Sequence, residues 1–429
     1  MKISDLPAKQ AERYITALKS FKPHRQLLIK VGGGLLQDET AVLELAEALA
    51  ELAKHDIHTI LVHGGGPQLS EAIVKNLRHE PRFKEGIRYT DEPTLELAKT
   101  VFGQITDDLV KTFNDNGIKV TTLPFERLPR AKRDPNLGLS SKQITVIATA
   151  AIASAMKDHS ILILNPLARD EATGETLNIN ADIVFRALAT ELQPHRMTSL
   201  SPTGGVLQAI DGSDTQELIS GIDIRDVETL IDEGVVSGGM ALKLRELAAI
   251  LDKLETGSAI SITKPSDLLL ELLTDQGSGT FVGKGPRIIR SDSLDDVFAD
   301  FSRLIKEVFG SSLPEGYEQQ PVERVYSTSD HQAFGIVTKL SDGTPYLDKL
   351  AVSPQLQGRG VGENLWYKIT GDFPVLLWRS HVTNRYATWY HRHADIMKRH
   401  GEWILFGRGV DFAKLESVAE ELAAIPSMS

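Results

Sequence analysis

Residues 27–34, Leu-Leu-Ile-Lys-Val-Gly-Gly-Gly, and residues 59–67, Thr-Ile-Leu-Val-His-Gly-Gly-Gly-Pro, share one design. In each, a short apolar run ends in three glycines and leads into a helical pattern, Ala41–Ala53 after the first and a helix opened by Pro67 after the second. Proline suits the first helical position because its missing N–H would have no partner there. Strand, glycine turn and helix, repeated twice, predict βαβ units around a parallel sheet whose strands are buried on both faces. The periodicity predicts further strands at Lys119–Leu123, Ser160–Leu164, Arg196–Ser201 and Ala259–Thr263, with helices over Glu92–Asn116, Ile179–Glu191 and Gly239–Glu255. Upstream, Leu6, Ala11, Tyr14, Ile15 and Leu18 share one face of a helix predicted over Ser4–Lys19. Asp170–Gly174 reads as a hairpin turn. The run Gly283-Lys284-Gly285-Pro286 breaks the pattern and marks a boundary between domains 1–285 and 286–429, and all four Trp, at 366, 378, 389 and 403, lie beyond it.

A chain of 429 residues is long enough for two or three domains. Its 47 Lys+Arg against 58 Asp+Glu leave a net charge of -11, which gives no electrostatic footprint for nucleic acid. No apolar run approaches the roughly 20 residues that cross a bilayer. Residues 1–30 show neither an apolar h-region nor an acid-free Arg-rich stretch, so the expected location is cytoplasmic. With Cys 0, disulfides, iron–sulfur clusters and thiol catalysis are excluded.

Glycine turns between buried strands and helices aim backbone N–H groups at a helix N-terminus, where the dipole attracts phosphate. Competing motifs fail letter by letter. Gln37 stands where a dinucleotide fingerprint starting at Gly32 requires glycine, and Ser278 and Gly285 break a Walker A loop around Lys284. His63-Gly-Gly-Gly66 matches an esterase oxyanion motif, but no G-x-S-x-G elbow accompanies it. Lys30 ends an apolar strand, where its charge is costly unless it meets an anion. Lys243 sits one turn into a helix opened by Gly238-Gly239. Either alone reads equally well as a snorkelling surface lysine; together with glycine amides they supply the positive charge that phosphoryl transfer needs. In Asn178-Ile-Asn180-Ala-Asp182, either asparagine reads as a helix N-cap, and Asp182 is placed to hold the two lysines. Arg88, within Gly86-Ile-Arg-Tyr-Thr90, is a candidate clamp for a substrate carboxylate.

Taken together, Lys30-x-Gly-Gly-Gly, His63-Gly-Gly-Gly-Pro, Gly86-Ile-Arg-Tyr-Thr, Asn178-Ile-Asn-Ala-Asp182 and Gly238-Gly-Met-x-x-Lys243 resemble the N-acetylglutamate kinase branch of the amino acid kinase family, over roughly residues 22–282. The resemblance implies a three-layer α/β amino acid kinase fold with a mostly parallel sheet. It implies that Lys30 and Lys243 stabilise the transferring phosphoryl group and that Asp182 orients them. It further implies N-acetylglutamate at Gly64, Gly65, Gly66, Arg88 and Asn178, and ATP with Mg²⁺ near Gly32, Gly33 and the Ser201–Gly205 loop, including Ser201 and Gly204. The stretch Leu268–Thr280, with Glu271, Gly277 and Gly279, resembles the arginine-binding segment of feedback-inhibited members, although Ser266 and Asp267 stand where many of them carry a histidine. The N-terminal helix resembles an arm that joins kinase domains, which implies a homotetramer or higher homo-oligomer.

Beyond the boundary, Asp348–Pro354 reads as a strand, and Gln357-Gly-Arg-Gly-Val-Gly362 then opens a helix through Trp366–Ile369. Such a loop offers successive N–H donors to a pyrophosphate. It resembles the acetyl-CoA loop of the GNAT acetyltransferase superfamily, which implies a smaller α/β domain holding acetyl-CoA at Leu350, Val352, Gln357, Gly358, Arg359, Gly360, Val361 and Gly362. Downstream, Leu376–Asn384 leads to Trp389-Tyr390-His391. A tyrosine beside a thioester can protonate the departing thiolate, whereas Trp389 and Tyr390 taken alone read as core aromatics. The whole segment resembles vertebrate-type N-acetylglutamate synthase, which implies Tyr346, Lys349, Arg379 and Asn384 around L-glutamate and Tyr390 as the acid. Retention of Lys30, Asn178, Asp182 and Lys243 resembles the bacterial bifunctional synthase/kinase, so both activities are expected in arginine biosynthesis. The alternative is a kinase carrying a regulatory acetyl-CoA-binding domain. His391-x-His393 lacks a third ligand at zinc spacing and reads as solvated helix histidines, so no protein-held metal is expected.

Overall fold

The computed structural model describes residues 1–427 except 210–215, 255–257, 275–276, 355, 357–359 and 385–386. The chain divides into two compact units, residues 1–219 with 224–282, and residues 220–223 with 283–429. Among the described residues, no helix is long and apolar enough to cross a membrane.

In the first unit the strand Leu27–Val31 lies inside a sheet ordered Thr280–Gly283, Ala259–Thr263, Arg196–Leu200, Leu27–Val31, Thr59–His63, Ile161–Leu164, Val120–Thr122. Leu27 pairs in parallel with Thr59 on one side and with Arg196 on the other, so the two glycine turns leave the sheet at the same end. Parallel neighbours need a crossover: the helix Glu39–Lys54 joins Leu27–Val31 to Thr59–His63, and the helices Gly66–Leu77 and Glu92–Asp115 lie between Thr59–His63 and Val120–Thr122. Leu28, Ile29, Leu61 and Val62 are fully buried, as expected for strands covered on both faces.

In the first unit the predicted strands occur within one residue of their expected ends, in the second the strand expected over Asp348–Pro354 runs over Pro345–Val352, and three differences have local causes. Pro7 divides the N-terminal segment into a short 3₁₀ turn, Ile3–Asp5, and a helix, Ala8–Lys19, because proline tolerates only the first helical turn. The helix expected from Ile179 starts at Ala181, since Ile179 ends the strand Thr176–Ile179. That strand belongs to a small second sheet, ordered Ser140–Ser141, Thr176–Ile179, Leu167–Asp170, Arg130–Ala131, Ile144–Val146, which sequence periodicity does not reveal. The Asp170–Gly174 turn joins its antiparallel pair Leu167–Asp170 and Thr176–Ile179.

The second unit has a seven-stranded sheet ordered Ile288–Ser291, Arg324–Thr328, Ala333–Lys339, Pro345–Val352, Leu376–His381, Trp403–Arg408, Ile396–His400. Its neighbours are antiparallel except Pro345–Val352 and Leu376–His381, whose parallel pairing is confined to Tyr346↔Leu377 and Leu347↔Trp378. Just past those pairs the register shifts. Ile336 faces Lys349 and Val337 faces Leu347, so Asp348 is the extra residue of a β-bulge. The helix Val361–Asp372 packs closely on the sheet at Gly335, where a Cβ would lie 2.6 Å from Ile369 Cδ1. Trp366 stands edge-on to Trp378 and Trp389, at 5.0 and 5.2 Å between ring centroids.

Ile29→Ala removes buried atoms at the middle of the first sheet. Urea unfolding is expected to show that unit destabilised by about 2–5 kcal/mol; a loss below about 1 kcal/mol would mean that this sheet position is not packed as described.

Candidate functional site

Between the two glycine turns and the segment Asn178–Asp182 lies a cavity of ≈ 210 Å³. The turns are locked to each other, with Gly64 N–H donating to the Val31 carbonyl at 2.8 Å and Gln68 Nε2 donating to the Gly33 carbonyl at 2.8 Å. Glycine is required by this closeness. A Cβ on Gly33 would stand 3.0 Å from Gly65 Cα, and one on Gly65 would stand 2.7 Å from the Phe102 ring. Gly32, Gly64 and Gly66 share the same wall.

Arg88 lines the same cavity against the second of these turns. Its Nη2 donates to the Gly66 carbonyl at 3.0 Å and to Ser70 Oγ at 2.8 Å, while its guanidinium lies 4.8 Å from the Phe83 ring centroid. Nη1 is buried with no hydrogen-bond partner among the described residues. A guanidinium stays charged even where burial lowers its pKa, so this side of the cavity is built for an anion. Asn178 is anchored beside it, donating from Nδ2 to Thr90 Oγ1 at 2.9 Å, and Ser140 Oγ donates to the same hydroxyl at 2.8 Å. Asn180 is the helix cap, accepting the Asp182 N–H at 2.9 Å.

The cap sets Asp182 in the first turn of the helix Ala181–Leu192, where its carboxylate meets Lys30 in a half-buried ion pair. A second opening of ≈ 330 Å³ continues from this pair and is lined by Ser201, Gly239, Lys243 and Glu246. Among the described residues Lys243 makes only a long contact, 3.4 Å from Nζ to the Leu200 carbonyl. Burial first and Lys30 second push its pKa down to about 8, against the opposing pull of Asp182 and Glu246. Two lysines share this cleft with two carboxylates, Asp182 and Glu246, and burial is the larger part of what disfavours the Lys243 charge. Glu246, which motif reading missed, lies three residues after Lys243 on the same helical face. Although the residue is exposed overall, partial burial of its carboxyl, followed by Asp182, pushes its pKa up to about 7. The Ser201 loop closes with a 3.0 Å hydrogen bond between Ser201 Oγ and Thr203 Oγ1, and Gly204 takes a left-handed φ of 74°.

The segment read as an effector site also comes together. Glu271 is buried, and its Oε2 accepts the N–H groups of Ser278 at 2.7 Å and Gly279 at 2.9 Å. Gly277 is left-handed at φ 57°, and a Cβ on Gly279 would strike the Ile262 carbonyl oxygen at 1.9 Å.

In the second unit the bulge turns Asp348 and Lys349 toward each other, with Lys349 Nζ 2.7 Å from Asp348 Oδ1. The Tyr317 hydroxyl donates to the other carboxylate oxygen, and Lys349 Nζ lies 5.2 Å from the Tyr317 ring centroid. Tyr346 is buried nearby, its hydroxyl pKa raised by burial and then by Asp348. Tyr390 sits in the aromatic cluster, 6.4 Å from Trp378 and 5.7 Å from Phe406 between centroids. Asn384 follows the strand end and donates its N–H to the His381 carbonyl at 2.9 Å. Gly360, left-handed at φ 72°, opens the helix Val361–Asp372, and Gly362 stands against Val352. Leu350 and Val352 pack beside the same core. Gln357, Gly358 and Arg359 lie outside the described residues.

Two expectations are corrected. Arg379 is not free to clamp a carboxylate: Nη1 donates to the Leu422 and Ala423 carbonyls, Nη2 donates to Ile425, and the guanidinium stacks 3.8 Å from the Trp403 centroid. Carbonyls at the end of the helix Ala419–Ala424 lack intrahelical donors, and Arg379 supplies them. His393 is not solvated, unlike the exposed His391. It is buried 4.9 Å from Trp366 and 4.3 Å from Trp389 between centroids, with Nε2 3.3 Å from a Glu363 carboxylate oxygen. Burial alone would raise the Glu363 pKa; the adjacent His393 together with hydrogen bonds from Ser220 and Trp389 outweighs it and lowers the pKa. Among the described residues, no group of three or more His, Asp or Glu is arranged to hold a metal.

Lys243 is expected to react with acetic anhydride with a midpoint near pH 8, as followed by peptide mass spectrometry, and Glu246→Gln is expected to lower that midpoint by removing a favourable charge. A wild-type midpoint above pH 10 would contradict the buried setting described for Lys243 beside Lys30.

Residues 25–261 match the amino acid kinase family, and residues 291–425 match the N-acetyltransferase of N-acetylglutamate synthase. An acetylglutamate kinase of Xylella fastidiosa is 32% identical over 406 residues, covering 94% of this chain and 94% of that protein. A mitochondrial N-acetylglutamate synthase of Danio rerio is 28% identical over 393 residues, covering 89% of this chain and 70% of that protein. Among solved structures, N-acetylglutamate synthase from Neisseria gonorrhoeae complexed with coenzyme A and L-arginine shares the fold, with a TM-score of 0.56 at 17% identity over 94% of this chain and 98% of that one. The chain belongs to the amino acid kinase family and carries, after its kinase-type domain, an acetyltransferase domain of the N-acetylglutamate synthase type.

Proposed function

We propose that this protein is a bifunctional enzyme of arginine biosynthesis, transferring acetyl from acetyl-CoA to L-glutamate and phosphorylating the resulting N-acetyl-L-glutamate with ATP. The observation that carries the kinase half is the cleft in which Lys30, Asp182 and Lys243 converge beside a cavity walled by glycine turns and the unpaired Arg88 Nη1. The residues fit both co-substrates of that half. Arg88 and Asn178 would take a carboxylate of N-acetylglutamate, and Lys30 with Lys243 would take the ATP phosphates. Mg²⁺, arriving with the nucleotide, would shield the remaining phosphate charge.

A carboxylate oxygen of N-acetylglutamate bonds to the γ-phosphorus as the bond to the bridging oxygen breaks, and ADP leaves. No proton has to move, so the protein's task is positioning and charge stabilisation. Lys30 and Lys243 face the equatorial oxygens, and Asp182 keeps Lys30 in place. In the second unit the glutamate amine, as its free base, attacks the thioester carbonyl, the C–S bond breaks, the Tyr390 hydroxyl protonates the leaving thiolate, and the proton shed by the acylated nitrogen returns to the Tyr390 oxygen. Lys349, held by Asp348 and Tyr317, is the cation that remains to receive glutamate. Glu271 with Gly277 and Gly279 is the seat of arginine feedback, and the chain assembles as a homotetramer or larger.

A second reading, a kinase with an acetyl-CoA-sensing domain, is favoured by one observation, the commitment of Arg379 to backbone carbonyls. Separation of function tells the readings apart. Lys243→Ala is expected to lower kinase kcat by about 10²–10³-fold with a smaller change in KM for N-acetylglutamate, leaving acetyl transfer intact. Tyr390→Phe is expected to lower acetyl-transfer kcat by about 10²-fold and leave the kinase intact. Wild-type protein with no acetyl transfer would establish the sensor reading, and an unimpaired Lys243→Ala kinase would remove the phosphoryl-transfer assignment.

Millimolar arginine is expected to slow the wild-type kinase, with Glu271→Gln relieving the inhibition. Rates unchanged by arginine would contradict an effector site at Glu271.

A further inference from the structure

His63 ends the strand Thr59–His63, immediately before the second glycine turn, and is fully buried. None of the chemistry above uses it. Its two ring nitrogens are both engaged: Nδ1 lies 2.8 Å from the Gly64 carbonyl oxygen, and Nε2 lies 2.9 Å from Thr106 Oγ1 on the helix Glu92–Asp115. A carbonyl can only accept, so Nδ1 carries a hydrogen. Burial pushes the imidazole pKa down to about 4, so the ring is neutral at physiological pH and Nε2 accepts from the Thr106 hydroxyl. That hydroxyl has a second acceptor within reach, the Phe102 carbonyl at 2.8 Å, and can turn between the two.

The consequence lies on the far side of the peptide that His63 holds. A trans peptide is planar, with its N–H directed opposite to its carbonyl. The Gly64 carbonyl is drawn back toward the buried imidazole, so the Gly65 N–H is directed away from it. Gly65 lines the cavity at φ -180° and ψ 19°, and as a glycine it has no Cβ to help fix the peptide before it. A glycine triplet gives close approach to a ligand at the cost of orientation; the imidazole restores the orientation.

Resting on the kinase reading, we propose that His63 is a positioning residue for phosphoryl transfer: braced by Thr106, its imidazole pins the Gly64 carbonyl and so aims the Gly65 N–H across the cavity at the reacting group. A donor fixed in advance toward developing charge costs no reorganisation during the reaction. The role is positional, not acid–base.

The test compares wild type with His63→Leu, His63→Asn and Thr106→Val in the full-length protein, following kinase kcat and KM, with urea unfolding of the same samples reporting an intact first unit. Leucine fills the space and lacks the donor, whereas the Asn Nδ2 falls close to the position of Nδ1. His63→Leu is expected to lower kinase kcat by about 10²-fold, the scale of a misplaced catalytic group, with KM for ATP nearly unchanged. His63→Asn is expected to recover most of that loss and to keep the wild-type shape of the pH–rate profile, and Thr106→Val to fall between the two. Leucine and asparagine variants that are equally impaired, or equally active, overturn the proposal. If the leucine variant does not fold, ¹⁵N NMR of the wild-type imidazole decides, because the proposal requires the Nδ1–H tautomer between pH 5 and 8; an Nε2–H tautomer, or titration near the ordinary pKa of about 6.5, overturns it. A wild-type protein without kinase turnover would defeat the kinase reading and leave the tautomer result to judge the geometry.

Discussion

The ion pair between Lys30 and Asp182 ties together residues 152 positions apart in sequence, and the rest of the first site is arranged around it. A lysine at the end of a buried strand has to be matched by charge, because an isolated buried ammonium carries a penalty of several kcal/mol. Asp182 provides that charge from a helix N-terminus, where the dipole favours a carboxylate. With Asp182 serving as partner to Lys30, Lys243 is left in an imbalance of burial and nearby positive charge, and these, burial first and Lys30 second, depress its pKa. The same imbalance is what a polyphosphate would relieve. Stability and function meet here, since neutralising the cleft internally would cost the site its affinity for anions.

The glycine turns act as a second constraint on the same cavity. Their backbones approach too closely for side chains, with separations of 2.7 to 3.0 Å waiting for any added Cβ at Gly33 or Gly65. Such freedom has to be limited from outside. Gln68 holds the Gly33 carbonyl and His63 holds the Gly64 carbonyl, so polar side chains behind the turns fix what the glycines leave loose. The second unit solves a related problem with a β-bulge, which brings Asp348 and Lys349, adjacent in sequence, onto one side of a strand where ordinary alternation would separate them.

Much of this was legible in the sequence because it is local. The two strand–glycine–helix repeats, Lys30, and the Asn178–Asp182 segment declare themselves by residue type and spacing, and family resemblance joins them into one site. What was illegible depends on distant partners. The small sheet around Thr176–Ile179 is built from strands of two to four residues, too short for periodicity to register. Arg379 reads as a substrate clamp until the carbonyls of Leu422, Ala423 and Ile425, more than forty residues on, claim its donors. His393 reads as solvated until Trp366, Trp389 and Glu363 close around it. Glu246 could have been found by its spacing from Lys243, but nothing in that spacing tells that both face Asp182.

The central claim is that one chain performs two consecutive reactions, and product mass spectrometry tests it most directly. Purified protein would receive glutamate and acetyl-CoA, with Mg-ATP added after a first sampling. The account predicts N-acetylglutamate in the first sample and its phosphorylated form in the second. No acetylated product, with supplied N-acetylglutamate still phosphorylated, would contradict it.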